Sequence, residues 1–394
     1  MNILFFTHYD VSPQKGGTER ITDSLVGYLS NTHTCFSMYT WDIDTKLNKT
    51  IFCDKERLSQ KNSIRQIKQF VEKNKIDLII IQGAFDKVKV FKNAIKNNPS
   101  CKIISVHHYN PGAETNFFTF ERIKKQFVVS KSISEKIKSL IKLSIHPIFF
   151  LKQAIDNKKH YKKAYDNADR LVLLSKHFID DFKTYAGLTE TRKISVIPNA
   201  LSFNDFLPVE ELNRKKKEVL IVSRLEEYQK RISLALKIWS VIEKKAVFTD
   251  WKLVILGDGD NKKDYLSLAN KLNLKQVKFE GVKNPLEYYK KASVFMMTSS
   301  FEGWGLTLTE SQQMGVVPIA FDTYKSLQDI ISDGTDGYIV QEGNVDEYVE
   351  KLSHIMSNSQ ERNKMAINAI ESSKRFEQNK IGLQWEKLFE KLNF

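Results

Sequence analysis

Cysteine is scarce in this chain. Cys35, Cys53 and Cys101 are an odd number and show no metal-ligand spacing. That argues against a disulfide scaffold or a structural metal site, and a reduced, cytosolic setting is expected. Long apolar runs are missing too. Ile145 to Leu151, interrupted by Pro147, is one of the longest, and it is far short of the roughly 20 residues that cross a bilayer. Met1 to Thr7 is apolar but has no basic n-region, and it runs straight into His8, Tyr9 and Asp10. A first strand is expected there rather than a signal peptide. No complete G-x-G-x-x-G follows a strand-like run, so a dinucleotide-dependent oxidoreductase has little support. No nucleic-acid motif accompanies the basic charge, and no nucleic-acid partner is expected.

At 394 residues with 41% hydrophobic content, the chain is long enough for two domains with real cores. Strand-like and helix-like runs alternate along it. Asn2 to Thr7, Ile76 to Gln82, Lys102 to Val106, Arg170 to Leu174 and Ile194 to Ile197 read as strands. A helical pattern through Ile21, Leu25 and Leu29 follows the first of them. Leu201 to Lys217 has Pro208 and no apolar period, and reads as a linker. The alternation then restarts with strands at Glu218 to Ser223, Trp251 to Leu256, Val277 to Glu280 and Val294 to Thr298. This pattern predicts α/β architecture with parallel sheets and crossover helices. The expected domains are 1–200 and 218–375, two Rossmann-like doubly wound units facing a central cleft, with 201–217 between them. Ile381, Trp385, Leu388 and Phe389 mark a last helix within 376–394.

The net charge of +14 is uneven. From Arg122 to Lys163 there are twelve Lys or Arg and two acids, mixed with apolar residues such as Ile133, Ile137, Ile141 and Ile148. An amphipathic surface helix is expected, of the kind that binds an anionic membrane by apolar burial and electrostatics together.

The most informative stretch is Ser299 to Ala320, S-S-F-E-G-W-G-L-T-L-T-E-S-Q-Q-M-G-V-V-P-I-A. Two glutamates, Glu302 and Glu310, bracket seven residues. A helix is expected from Leu306 to Gly315, with Glu310 in its first turn and a buried strand behind it. Amides at a helix start favour anions. Polar groups of a substrate could meet both the amides and the acids. Earlier, Ser223-Arg224-Leu225 ends a strand and Lys230 follows six residues later. A guanidinium fork and a compact ammonium suit a diphosphate. Gly257-Asp258-Gly259 follows another strand, and Gly16-Gly17-Thr18-Glu19-Arg20 follows the first one. Glycines there allow close backbone approach to phosphate.

These elements resemble the retaining GT-B glycosyltransferases, specifically glycosyltransferase family 4, the glycosyl transferases group 1. That family carries E-x7-E, commonly with Phe at Trp304 and Ala at Ser311. The resemblance is strong from Leu220 to Ala320 and weak from Arg122 to Lys163. It implies that Glu302 holds sugar hydroxyls of a nucleotide sugar and Glu310 its ribose. Gly303, Trp304, Gly305 and Leu306 would line the donor, with Asp258 and Gly17 near the nucleotide and its phosphates. Arg224 and Lys230 would neutralise the leaving nucleoside diphosphate without a divalent metal. Gln229-Lys230-Arg231 offers two bases, of which Lys230 is favoured. Ser105-Val106-His107 matches the family's S-x-H, so His107 is the expected histidine near sugar and acceptor. The resemblance further implies that the last helix crosses back to the first domain. It also implies that no cofactor is needed and that sugar passes, with retention, from a UDP-linked donor to a glycan or polyprenyl-linked acceptor in bacterial surface polysaccharide synthesis. A peripheral position on the inner face of the cytoplasmic membrane is expected. The alternatives are a UDP-sugar 2-epimerase of the same fold and a non-catalytic GT-B scaffold at the membrane.

Overall fold

The computed structural model describes residues 1–12, 16–42, 51–113, 119–130 and 132–392. Two compact units divide the chain, Met1–Ala200 with Gln378–Phe394, and Leu201–Glu377.

The first unit is built on seven parallel strands. These are β1 (Asn2–Tyr9), β2 (Thr34–Trp41), β3 (Lys55–Arg57), β4 (Leu78–Gln82), β5 (Lys102–His107), β6 (Arg170–Leu173) and β7 (Ile194–Val196). Their order is β3-β2-β1-β4-β5-β6-β7. Helices cover both faces, so the strands bury side chains in both directions and read as continuous apolar runs. In β1, Ile3 and Phe5 enter one core while Leu4 and Phe6 enter the other, as a period of two requires. The first of these cores also holds Ile381, Trp385, Leu388 and Phe389 from the helix Gln378–Glu390. That helix lies so close to the helix Gly17–Leu29 that a Cβ on Gly382 would sit 2.3 Å from the Tyr28 ring.

The basic region folds as three helices, Phe120–Val129, Ile133–Ser144 and His146–Asn167, rather than as one. Ser132 caps the second by accepting from the Glu135 amide, and Pro147 sits in the first turn of the third. Lys131 lies outside the described residues. Among the described residues, no helix is long and apolar enough to cross a membrane.

The second unit has six parallel strands, β8 (Glu218–Val222), β9 (Lys252–Leu256), β10 (Val277–Gly281), β11 (Val294–Met297), β12 (Val317–Phe321) and β13 (Tyr338–Val340). Their order is β10-β9-β8-β11-β12-β13. Strand order reverses between β8 and β11, and in doubly wound sheets ligands bind outside the carboxyl ends at that reversal. Residues 201–217 pack on this unit. Leu207 and Leu212 are buried, and Gln313 donates to the carbonyls of Phe203 and Asp205.

Candidate functional site

Arg224 follows β8 and Glu302 follows β11, so the two strands that flank the reversal each deliver one charged residue. Between them runs a short helix, Glu227–Lys230. Glu226 caps it by accepting from the amides of Tyr228 and Gln229 at 3.1 and 2.9 Å. Arg231 then takes a left-handed conformation, φ 49°, and ends it. This kink separates the roles of the two adjacent bases. The Arg231 guanidinium turns back to the carbonyls of Thr298 and Ser299, at 2.7 and 3.2 Å, and anchors the loop after β11. Lys230 instead forms an ion pair with Oε1 of Glu302.

Glu302 is held from a second side. Gln229 Nε2 donates to its Oε2 at 3.2 Å and to the Phe301 carbonyl at 3.1 Å. The amide oxygen of Gln229 accepts from Arg224 Nη2 at 3.3 Å. One chain of contacts therefore joins Arg224, Gln229, Glu302 and Lys230. Arg224 is exposed, whereas Glu302 is only 9% exposed. The arrangement presents two cations beside a carboxylate with little solvent around it, where charge interactions are stronger than in water.

Gly303, Trp304, Gly305 and Leu306 connect this carboxylate to the helix Leu306–Gln313. Gly305 has φ 86°, and a Cβ there would meet the Tyr324 hydroxyl at 2.8 Å, so the turn requires glycine. Ser326 Oγ fixes the Gly303 carbonyl at 2.9 Å. Trp304 is buried edge-on against Phe376, and its ring nitrogen has no hydrogen-bond partner. Glu310 lies in the second turn of the helix rather than the first. It is sealed from solvent and accepts from the Tyr289 hydroxyl at 3.1 Å. A ligand reaches it only if the residues around it move.

The Gly257-Asp258-Gly259 turn packs closely on the backbone after β8. A Cβ on Gly257 would lie 1.8 Å from the Ser223 carbonyl, and one on Gly259 would lie 2.6 Å from that of Leu225. The glycines let this turn press against the backbone that carries Arg224, and Leu225 N–H donates to the Asp258 carbonyl at 2.9 Å. The Asp258 carboxylate is engaged by Lys262 at 2.9 Å and by the Gly259 amide, and these contacts hold it below the usual carboxylate range.

In the first unit, Gly17 is exposed at the start of the helix Gly17–Leu29. His107 ends β5 inside an aromatic shell of Phe85, Tyr161 and Phe182. Gly112 N–H donates to the Tyr161 oxygen at 3.1 Å, and that hydroxyl shares a hydrogen bond with His107 Nε2 at 3.0 Å. His108 lies 2.6 Å from the Gln82 amide oxygen, and its ring lines a narrow cavity beside Asn199 and Gln378. Burial pushes His107 down to about 3 and His108 down to about 4, so both rings are neutral. Sequence reading missed Tyr161 and Tyr289, and it weighed Gln229 only as a neighbour of the basic pair. Their roles come from contacts across 54, 21 and 73 residues of chain.

A family model described as glycosyl transferases group 1 matches residues 203–372. The amylovoran biosynthesis glycosyltransferase AmsD of Erwinia amylovora is 30% identical over 226 residues, 56% of this chain and 62% of the relative. The N-acetylgalactosamine-N,N'-diacetylbacillosaminyl-diphospho-undecaprenol 4-alpha-N-acetylgalactosaminyltransferase of Campylobacter jejuni is 25% identical over 282 residues, 69% of this chain and 75% of the relative. The chain spans between 50% and 62% of the length of three curated relatives that it matches, AmsD among them. Among solved structures, Anabaena HepE in complex with UDP-glucose superposes with a TM-score of 0.73 at 16% identity, covering 99% of this chain and 100% of that one. The fold of this chain is GT-B, with two parallel-sheet units.

Proposed function

We propose that this chain, whose residues 203–372 match the glycosyl transferases group 1 model, transfers a sugar from a nucleotide donor during bacterial surface polysaccharide synthesis. The donor is UDP-linked in this reading, and the acceptor is a glycan carried on a polyprenyl lipid. The observation that carries the reading is the contact chain Arg224–Gln229–Glu302–Lys230 at the reversal of strand order. Relatives support the class of acceptor, since the Campylobacter enzyme's name specifies an undecaprenol-linked one.

In this mechanism the donor diphosphate lies against Arg224 and Lys230. As the bond from the anomeric carbon to the phosphate oxygen breaks, charge grows on that oxygen and the two cations stabilise it. Preorganised electrostatics of this kind usually dominates catalysis. Glu302 accepts from sugar hydroxyls and fixes the ring. The acceptor oxygen attacks on the face the phosphate leaves, and the leaving phosphate takes its proton, which retains configuration. Glu310 holds the ribose after the residues around it open. His107 serves the sugar and acceptor as a neutral ring. No metal is required, because the two side-chain cations supply the charge a divalent ion would bring.

The region 122–163 would hold the enzyme on an anionic membrane. Of 22 large apolar side chains exposed among the described residues, ten lie between Phe120 and Ile155. Exposed Lys124, Lys138, Lys152, Lys158 and Lys159 stand among them. Apolar insertion and lysine attraction would then act together.

The test is incubation with UDP-sugars and an acceptor-bearing membrane fraction. Labelled sugar in the lipid fraction with release of UDP supports the reading. Conversion of the nucleotide sugar to its 2-epimer without acceptor would replace it.

A further inference from the structure

A second polar cavity of about 160 Å³ lies at the other edge of the second unit's sheet. Its walls come from residues that precede strands. Lys215 leads into β8, Ser293 into β11 and Gly315 into β12. The fourth wall is one face of the helix Ser359–Ser373, with Ser359, Arg362 and Asn363. Arg224 and Glu302 sit at the opposite, carboxyl ends of the same strands.

The cavity contains two cations and, among its lining residues, no carboxylate. Lys215 Nζ donates to the carbonyls of Tyr289 and Ala292, each at 2.9 Å. An ammonium has three donors, so one is left. The Arg362 guanidinium stacks over Trp251, and its Nη1 donates to the carbonyls of Ile355 and Met356 at 2.8 and 3.0 Å. Its other donors are left over. Burial lowers both groups, Lys215 to about 7, with no acidic neighbour to offset it. Both side chains are partly buried, and a cation drawn partly out of water without a counter-charge is costly. The volume has room for several waters, and so for a tetrahedral oxyanion.

We propose that this cavity binds a phosphate-class anion between Lys215 and Arg362, with Ser359 and Asn363 supplying neutral hydrogen bonds at its mouth. The ligand completes the donors that the fold leaves open, and it does so independently of the donor site.

Calorimetric titration of the full chain with sulfate and with inorganic phosphate, at constant ionic strength, tests this. A saturable site is expected that is weakened at least tenfold in Lys215→Met and in Asn363→Asp and that persists in Arg224→Ala, where any phosphate binding at the donor site is removed. Asn363 is exposed on a helix, so its variant decides the matter even if Lys215→Met fails to fold. Glycerol 3-phosphate forms a third arm. Tighter binding than phosphate assigns the site to a phosphate monoester, and equal binding assigns it to the free ion. Absence of saturable binding, or binding lost in Arg224→Ala and kept in Lys215→Met, would overturn the proposal.

Discussion

Glu302 is held by Lys230 on one oxygen and by Gln229 on the other. Replacing it with Gln keeps the shape but removes the charge that fixes Lys230. Transfer should fall about 10²–10³-fold, the usual cost of losing one preorganised electrostatic contact, with binding of UDP alone retained. Steady-state rates beside UDP affinity check this. Gln229→Leu should lower the rate less, because Arg224 and Glu302 lose their link but keep their charges. The histidines make a pH prediction. Their folded values, about 3 and about 4, lie below the ordinary 6.5, so the unfolded chain binds protons that the folded one does not. Stability from their burial is present above pH 6.5 and is lost as pH falls from there toward 4. Melting temperature between pH 7.5 and 5 should therefore decline, and His108→Asn should flatten the decline. The charged residues of this site were picked out by their positions after strand-like runs together with their resemblance to the family's motifs. Gln229 and Tyr289 were not, since an amide or a phenol gains such a role only through a partner distant in sequence.

At the scale of elements, the helix Gln378–Glu390 is part of the first unit's core. Gly382→Ala would place a methyl group within 2.3 Å of Tyr28, too close without a shift of one helix. Overpacking of this kind costs about 1–3 kcal/mol. Trp385→Ala would open a cavity in the same core and cost about 3–5 kcal/mol. Urea denaturation followed by a probe in the first unit measures both. Most strands were legible as short apolar runs. β2 was not, because Ser37 and Thr40 interrupt its apolar pattern although both are buried. β13 spans three residues and is too short for any period. The basic region was read as one helix because its apolar spacing continues across breaks made by Ser132 and Pro147, which sequence period alone does not register.

At the scale of the molecule, positive charge and apolar exposure concentrate in residues 120–163, the region proposed to meet a membrane. Sedimentation with vesicles rich in anionic lipid should be strong at low salt and weaken as salt screens the lysines. The double variant Ile148→Asp and Leu151→Asp should release the protein at every salt concentration without changing its melting temperature, since both side chains are exposed. The proposed chemistry requires a nucleotide sugar to bind at Arg224, Lys230 and Glu302. Its most direct test is thermal stabilisation by UDP-, GDP-, ADP- and dTDP-sugars, because a ligand of the folded state alone raises the melting temperature. A rise with UDP-sugars is expected, lost in Arg224→Ala and Lys230→Ala. A rise that survives both substitutions, or no rise with any nucleotide sugar, would contradict it.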